Sequence, residues 1–232
     1  TNNVSDLAHL FFLLGITMNQ ITKLTQFASM FFMTLALSLF SLNISAQTTD
    51  TGWMTNPQHP PVQTRFVLTG QQDPQAKTLT GYLDVKLTGD WKTYWRSPGE
   101  GGVAPSIDWQ NSQNLSKVDW QWPYPQKFEL LGIETLGYKG DTLFPMTLHI
   151  DDMSKPVTID AVLTLSSCTT ICVLTDYQIQ LTFLPSELKV DEDVMFSYAQ
   201  AVSNVPQSSP FVEVMQTNWD ATQSKLQIKL KN

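Results

Sequence analysis

From Val62 to Leu184 the chain is written in short runs that alternate apolar and polar residues, broken by turn residues such as Gly, Pro, Asp and Ser. VQTRFVLTG (62–70), LTGYLDVKLTG (79–89), SIDWQ (106–110), KVDWQWP (117–123), DTLFPMTLHI (141–150), KPVTIDAVLTL (155–165) and YQIQLTFL (177–184) all follow this pattern. A period of two puts one side of each run toward a core and the other toward water, the signature of a half-buried strand. Several such runs at regular spacing, with SPGEGGVAPS and WPYP between them, predict an all-β fold built as an antiparallel β-sandwich over 62–185. No Gly-rich phosphate loop follows a strand, and no long helical period interrupts the region.

The flanks read differently. Residues 18–46 carry one lysine, Lys23, an apolar run from about Phe27 to Phe40, and small residues at Ser45 and Ala46. This is the layout of a secretory signal peptide, with cleavage expected after Ala46. The apolar run falls short of the about 20 residues a membrane span needs. Residues 1–17 precede Met18 and read as upstream translation rather than structure. Residues 47–61 read as a flexible linker.

Beyond Pro185, residues 186–208 read as a helical linker. Val194, Met195, Tyr198 and Val202 have helical spacing, and Asp191, Glu192 and Asp193 suit a helix amino end, so one short helix is expected at about 191–203. Residues 209–232 hold two strand-like runs, 211–217 and 225–231, joined by an Asn/Asp turn. They read as the start of a second β-domain that the chain truncates. The formal net charge is −7 with no basic run, which removes the electrostatic basis for binding nucleic acid or an anionic membrane.

Both cysteines, Cys168 and Cys172, lie in LTLSSCTTICVLTDYQIQL (163–181). In an exported chain such a pair normally closes to a disulfide. Residues four apart in a straight strand are about 13 Å apart, whereas a disulfide needs Cα atoms about 4.4–6.8 Å apart. Thr169, Thr170 and Ile171 must therefore turn, and LTLSSC and CVLTDYQIQL become the arms of a hairpin. A bridge closing so small a loop contributes about 2 kcal/mol or less, and exposed bridges are the labile ones. An inert staple and a working dithiol both remain open on these grounds. No Lys, Arg or His lies between Leu163 and Leu181, so any activation of a thiol has to come from elsewhere in the fold.

Other chemistry is weaker. Cys168 and Cys172 with His149 and Met146 or Met153 could offer soft ligands to Cu(I), but four-ligand zinc-type spacings are absent. Neither His59 nor His149 sits in a hydrolytic motif. Trp91, Tyr94, Trp95, Trp109, Trp120, Trp122 and Tyr124 could form a stacking platform for a carbohydrate, although alternating aromatics more often fill a sandwich core. Tyr94 and Trp95, just before a Pro-Gly turn, are the better candidates for a loop role, as a cap over the thiols or a partner contact.

Together, WKTYWRSPGEGGVAPSIDWQ, WPYPQKFELLGIETLGYKGDTLFPMTL and SCTTICVL resemble the amino-terminal periplasmic domain of the DsbD-type transmembrane thiol:disulfide interchange proteins. They look more closely like the ScsB branch, linked to copper tolerance. The resemblance covers about 62–232. It implies an immunoglobulin-like sandwich with a redox dithiol at Cys168 and Cys172, no cofactor, and a protein-disulfide reductase role. In that family the domain takes electrons from a transmembrane donor domain and passes them to periplasmic thioredoxin-like proteins. It also implies a periplasmic location, with a full-length protein in the inner membrane, held there through segments downstream of this chain. Two features depart from the family pattern: the DsbD branch spaces its cysteines more widely, and Val173 and Leu174 stand where the ScsB-like motif has an apolar residue and proline.

Overall fold

The computed structural model describes residues 49–130, 132–207, 211 and 213–231. The signal-peptide reading of 18–46, the cleavage after Ala46 and the upstream reading of 1–17 lie outside the described residues.

Two antiparallel sheets form the body. The first has the order β1 (Met54–Thr55), β2 (Val62–Asp73), β3 (Thr78–Leu87), β9 (Thr142–Ile150), β6 (Leu115–Trp120). The second runs β11 (Cys172–Phe183), β10 (Val157–Cys168), β4 (Lys92–Tyr94), β8 (Ile133–Lys139), β7 (Gln126–Leu130), with β5 (Ser106–Asp108) also pairing β10. The inward positions are those the alternation marks. Phe66 and Leu68, Leu83 and Val85, and Phe144, Met146 and Leu148 from one sheet meet Ile159, Leu163 and Leu165, and Ile179 and Phe183 from the other. Each is at most 2 % exposed. At about 1.5–3 kcal/mol per buried large aliphatic or aromatic side chain, this layer holds the sandwich together. The mostly-β antiparallel architecture is that of an immunoglobulin-like sandwich.

Three short elements escaped the periodicity. Strand β4 has only three residues, too few to show a period. The β7–β8 hairpin lies in QKFELLGIETLGYK, whose Leu-Leu-Gly centre breaks the alternation; Gly132 adopts φ 80° there, a conformation open to glycine without strain. Strand β4 can approach β8 because Gly137 has no side chain: a Cβ there would stand 2.0 Å from the Thr93 carbonyl oxygen.

Within 47–61, expected as a linker, described residues hydrogen-bond to the first sheet. Leu68 N donates to Thr49 O at 2.7 Å and Thr51 N to Phe66 O at 3.0 Å. The Trp53 ring lies under both the Arg65 guanidinium (4.6 Å) and the Lys86 ammonium (4.4 Å). The apolar and aromatic residues of the segment were too widely spaced to show a period, so their anchoring depends on partners distant in sequence.

Helix α1 (Glu192–Ser203) starts where its cap directs: the Asp191 side chain accepts from Asp193 N and Val194 N. It packs on β2 and β9, with Ala201 buried. Strands β12 (Glu213–Asp220) and β13 (Lys225–Lys231) form a separate two-stranded sheet, with Trp219, Leu226, Ile228 and Leu230 exposed.

Candidate redox site

Strand β10 is twelve residues long and pairs with β11 from Val157↔Phe183 to Cys168↔Cys172 without a break. The ladder therefore ends on the two cysteines, and Thr169 N donates to Ile171 O at 2.9 Å to close the turn. Cys168 and Cys172 form a disulfide with Cα atoms 4.1 Å apart. The hairpin inferred from chain reach is present. Its two sulfurs are not equivalent: Cys168 is 1 % exposed, while Cys172 faces solvent with Ile171 and Leu174 beside it. Burial under neighbouring strands, invisible in a hairpin taken alone, sets the two apart.

Burial of Cys168 comes from β4 and the loop that follows it. Ser167↔Thr93 and Cys168↔Lys92 are cross-strand pairs, which puts Tyr94 at the sulfurs. Its Oη lies 3.0 Å from Cys168 Sγ and 3.7 Å from Cys172 Sγ, and donates to Gly101 O at 3.3 Å. Burial pushes the Tyr94 phenol up from its ordinary pKa, so at neutral pH it is a proton-bearing donor. The Ser97–Gly102 loop lies over this ring. A Cβ on Gly102 would stand 2.6 Å from Tyr94 Cδ1 and 2.5 Å from Pro98 Cβ, so glycine is what lets the loop close on the phenol.

Trp95 alternates to the other side. It packs against the core and carries the Arg96 guanidinium 4.9 Å from its ring centroid. Of the two loop aromatics, Tyr94 alone meets the sulfurs. Trp91, Trp109, Trp120 and Trp122 also pack against the core, with Trp120 and Trp122 stacked at 4.5 Å. Tyr124 is 72 % exposed, so no row of aromatics forms a stacking platform among the described residues.

Two neighbours of the pair were missed. His59 is buried, with Nε2 2.7 Å from Ser167 Oγ and its ring edge-on to Trp91 at 4.4 Å; desolvation lowers its pKa. Lys92 stands directly across from Cys168. Neither has a sequence signal, since Lys92 reaches the hairpin through long-range strand pairing and His59 through a side-chain contact with Ser167. The copper-ligand reading loses its geometry. Met146 is buried in the core from β9 and His149 Nε2 sits 2.7 Å from Asp119 Oδ2, on the sheet opposite the cysteine hairpin. Among the described residues no cluster of three or more His, Cys, Asp or Glu could hold a metal.

A buried and an exposed sulfur at one hairpin mouth can do one thing well: accept attack at the exposed atom and release the buried one. Residues 58–184 match the family model described as thiol:disulfide interchange protein DsbD, N-terminal. The solved N-terminal periplasmic domain of ScsB from Proteus mirabilis is 34 % identical, with a TM-score of 0.59, over 75 % of this chain and 72 % of that one. No curated protein sequence matches.

Proposed function

Because the chain belongs to the family of DsbD amino-terminal domains, we propose that this thiol-disulfide exchange module works in the periplasm as a relay that reduces thioredoxin-like proteins. The asymmetry of the pair carries the reading, with Cys172 exposed and Cys168 buried beneath Tyr94. In the loading half-reaction a thiolate of a membrane donor domain attacks Cys172 Sγ. The Cys168–Cys172 bond breaks with its electron pair passing to Cys168 Sγ, and a donor–Cys172 disulfide forms. The donor's second thiolate then attacks its own sulfur in that bond and releases Cys172 as a thiolate. Protonation leaves the module reduced and the donor oxidised.

Unloading runs the same steps in reverse order of roles. Cys172 thiolate attacks the partner's disulfide and expels one partner thiolate, and Cys168 thiolate attacks Cys172 Sγ to expel the other. The partner leaves as a dithiol, and the module's disulfide is restored. The exposed Ile171 (63 %) and Leu174 (61 %) flanking Cys172 offer an apolar contact for the docking protein. An exported module serving a membrane donor accords with the leader-like sequence of 18–46; no described helix is long and apolar enough to cross a membrane.

Trapping tests the reading. The Cys168→Ala variant, lacking the resolving thiol, should hold an oxidised thioredoxin-like protein as a mixed disulfide through Cys172. A wild-type reduction potential below about −300 mV, typical of structural bonds, together with no trapped complex from either single Ala variant, would sink it.

A further inference from the structure

The residues flanking the cysteines in sequence contain no cation, yet the register of the second sheet lays one beside them. Cys172 pairs with Cys168, Cys168 with Lys92, and Lys92 with Lys139, so the four form one row across four strands. Residues directly opposite in an antiparallel pair share a face, with Cβ atoms about 4.5–5.5 Å apart. From there the flexible four-carbon stem of lysine can bring its ammonium to the neighbouring sulfur.

The two lysines are held differently. Lys139 Nζ is 2.8 Å from Asp90 Oδ1. Lys92 forms no ion pair among the described residues; its ammonium lies 5.4 Å from the centre of the Phe128 ring, a contact of about 0.5–1 kcal/mol at an exposed site. While the cysteines are joined, the anion that acts on it is Asp90, a carboxylate whose direct contact is with Lys139. Opening the bond creates another, on a buried sulfur where an unpaired charge is costly.

We propose that Lys92 stabilises the thiolate that Cys168 becomes when the disulfide opens, leaving the Phe128 ring to pair with Cys168 Sγ. The proposal rests on the exchange reading above and assigns a residue to its leaving group. When a donor thiolate bonds to Cys172 Sγ, the electron pair of the broken bond settles on Cys168 Sγ, and a lower thiol pKa makes that sulfur leave faster. Other polar and charged groups near Cys168 do not replace Lys92. Tyr94 offers a neutral hydroxyl, and Lys139 is matched by Asp90. Asp176 pairs at Thr164, about 13 Å down the strand at roughly 3.3 Å per residue, and accepts from the Thr164 hydroxyl. Glu100 belongs to the solvent-facing loop over Tyr94, and His59 reaches the hairpin through Ser167, on the opposite face from Cys168.

The test is a titration of Cys168 as the single thiol, in a Cys172→Ala background, followed by thiolate ultraviolet absorbance with the Cys168→Ala/Cys172→Ala protein as blank. Lys92→Met should raise the Cys168 pKa by about one unit, the lower end of the effect of an adjacent opposite charge. Lys92→Arg should restore most of the shift, and Lys139→Met should leave the pKa in place. Lys92→Gln serves as the neutral variant if the Met protein does not fold. An unchanged pKa on neutralising Lys92, or an equal shift from Lys139→Met, would overturn the proposal. Since the titration needs no partner protein, it is independent of whether the wild type forms mixed disulfides, the measurement on which the exchange reading itself depends.

Discussion

Tyr94 Oη sits 3.0 Å from Cys168 Sγ and 3.7 Å from Cys172 Sγ, so one phenol touches both sulfurs of the pair. Because burial raises its pKa, the hydroxyl keeps its proton through the neutral range and can donate to a sulfur that becomes anionic. A hydrogen bond to a charged group is worth about 1.5–3 kcal/mol. If about half of that is developed as the S–S bond breaks, Tyr94→Phe should slow reduction of the disulfide by dithiothreitol roughly three- to tenfold at neutral pH. Stopped-flow rates on the oxidised proteins measure it. Equal rates for the two would mean that the phenol only fills space.

Gly102 sets how tightly the loop seals this contact. A methyl group there would collide with the Tyr94 ring and with Pro98, at 2.6 and 2.5 Å, and either the loop or the ring must move. Gly102→Ala should lower stability by about 1–3 kcal/mol, the usual range for overpacking. It should also increase the rate at which iodoacetamide modifies Cys168 in the reduced protein. Loss of stability without faster alkylation would show that the loop repacks over the sulfur and does not open.

How much of this was legible in the sequence follows from the range of each interaction. The alternation in VQTRFVLTG and KPVTIDAVLTL marked strands whose inward residues, Phe66 and Leu163 among them, are fully buried, because period two is a local property of the chain. The cysteine hairpin was legible for the same reason: five residues and the reach of the backbone fix it. Which sulfur is exposed was not, since Cys168 is covered by β4, some 74 residues away in sequence. Lys92 and His59 were hidden by the same separation. Tyr94 and Trp95 were read together because the sequence does not say which face carries the site, whereas adjacent residues of an extended segment point to opposite faces.

His59 gives the fold a pH dependence of definite sign. The residue is 5 % exposed, and desolvation lowers its pKa below the ordinary 6.5. As pH falls through about 6.5, the unfolded chain takes up a proton that the folded chain refuses, so stability declines until the lowered folded pKa is passed. One such group contributes at most about 1.4 kcal/mol per pH unit within that window. His59→Gln should flatten the dependence of the urea midpoint between pH 8 and 5 relative to wild type. A wild-type midpoint that is constant over this range would exclude a buried neutral histidine.

A thiol-disulfide exchange module must survive both of its redox states, which limits how much its fold can depend on the bond it opens. The loop closed by Cys168 and Cys172 spans a sequence separation of 4, and the chain-entropy relation gives about 2 kcal/mol for a loop of that length. The ladder beneath it runs through twelve paired positions from Val157 to Cys168, and those strands bury Ile159, Leu163, Leu165, Ile179 and Phe183 without help from the sulfurs. Reduction, or the Cys168→Ala/Cys172→Ala substitution, should therefore lower the melting temperature by only about 4–8 °C at roughly 2–4 °C per kcal/mol. The sandwich should stay folded by circular dichroism at the same time. Thermal scans with and without reductant decide it: a drop much larger than this, or unfolding on reduction, would make the pair a staple that cannot be opened and closed in each cycle.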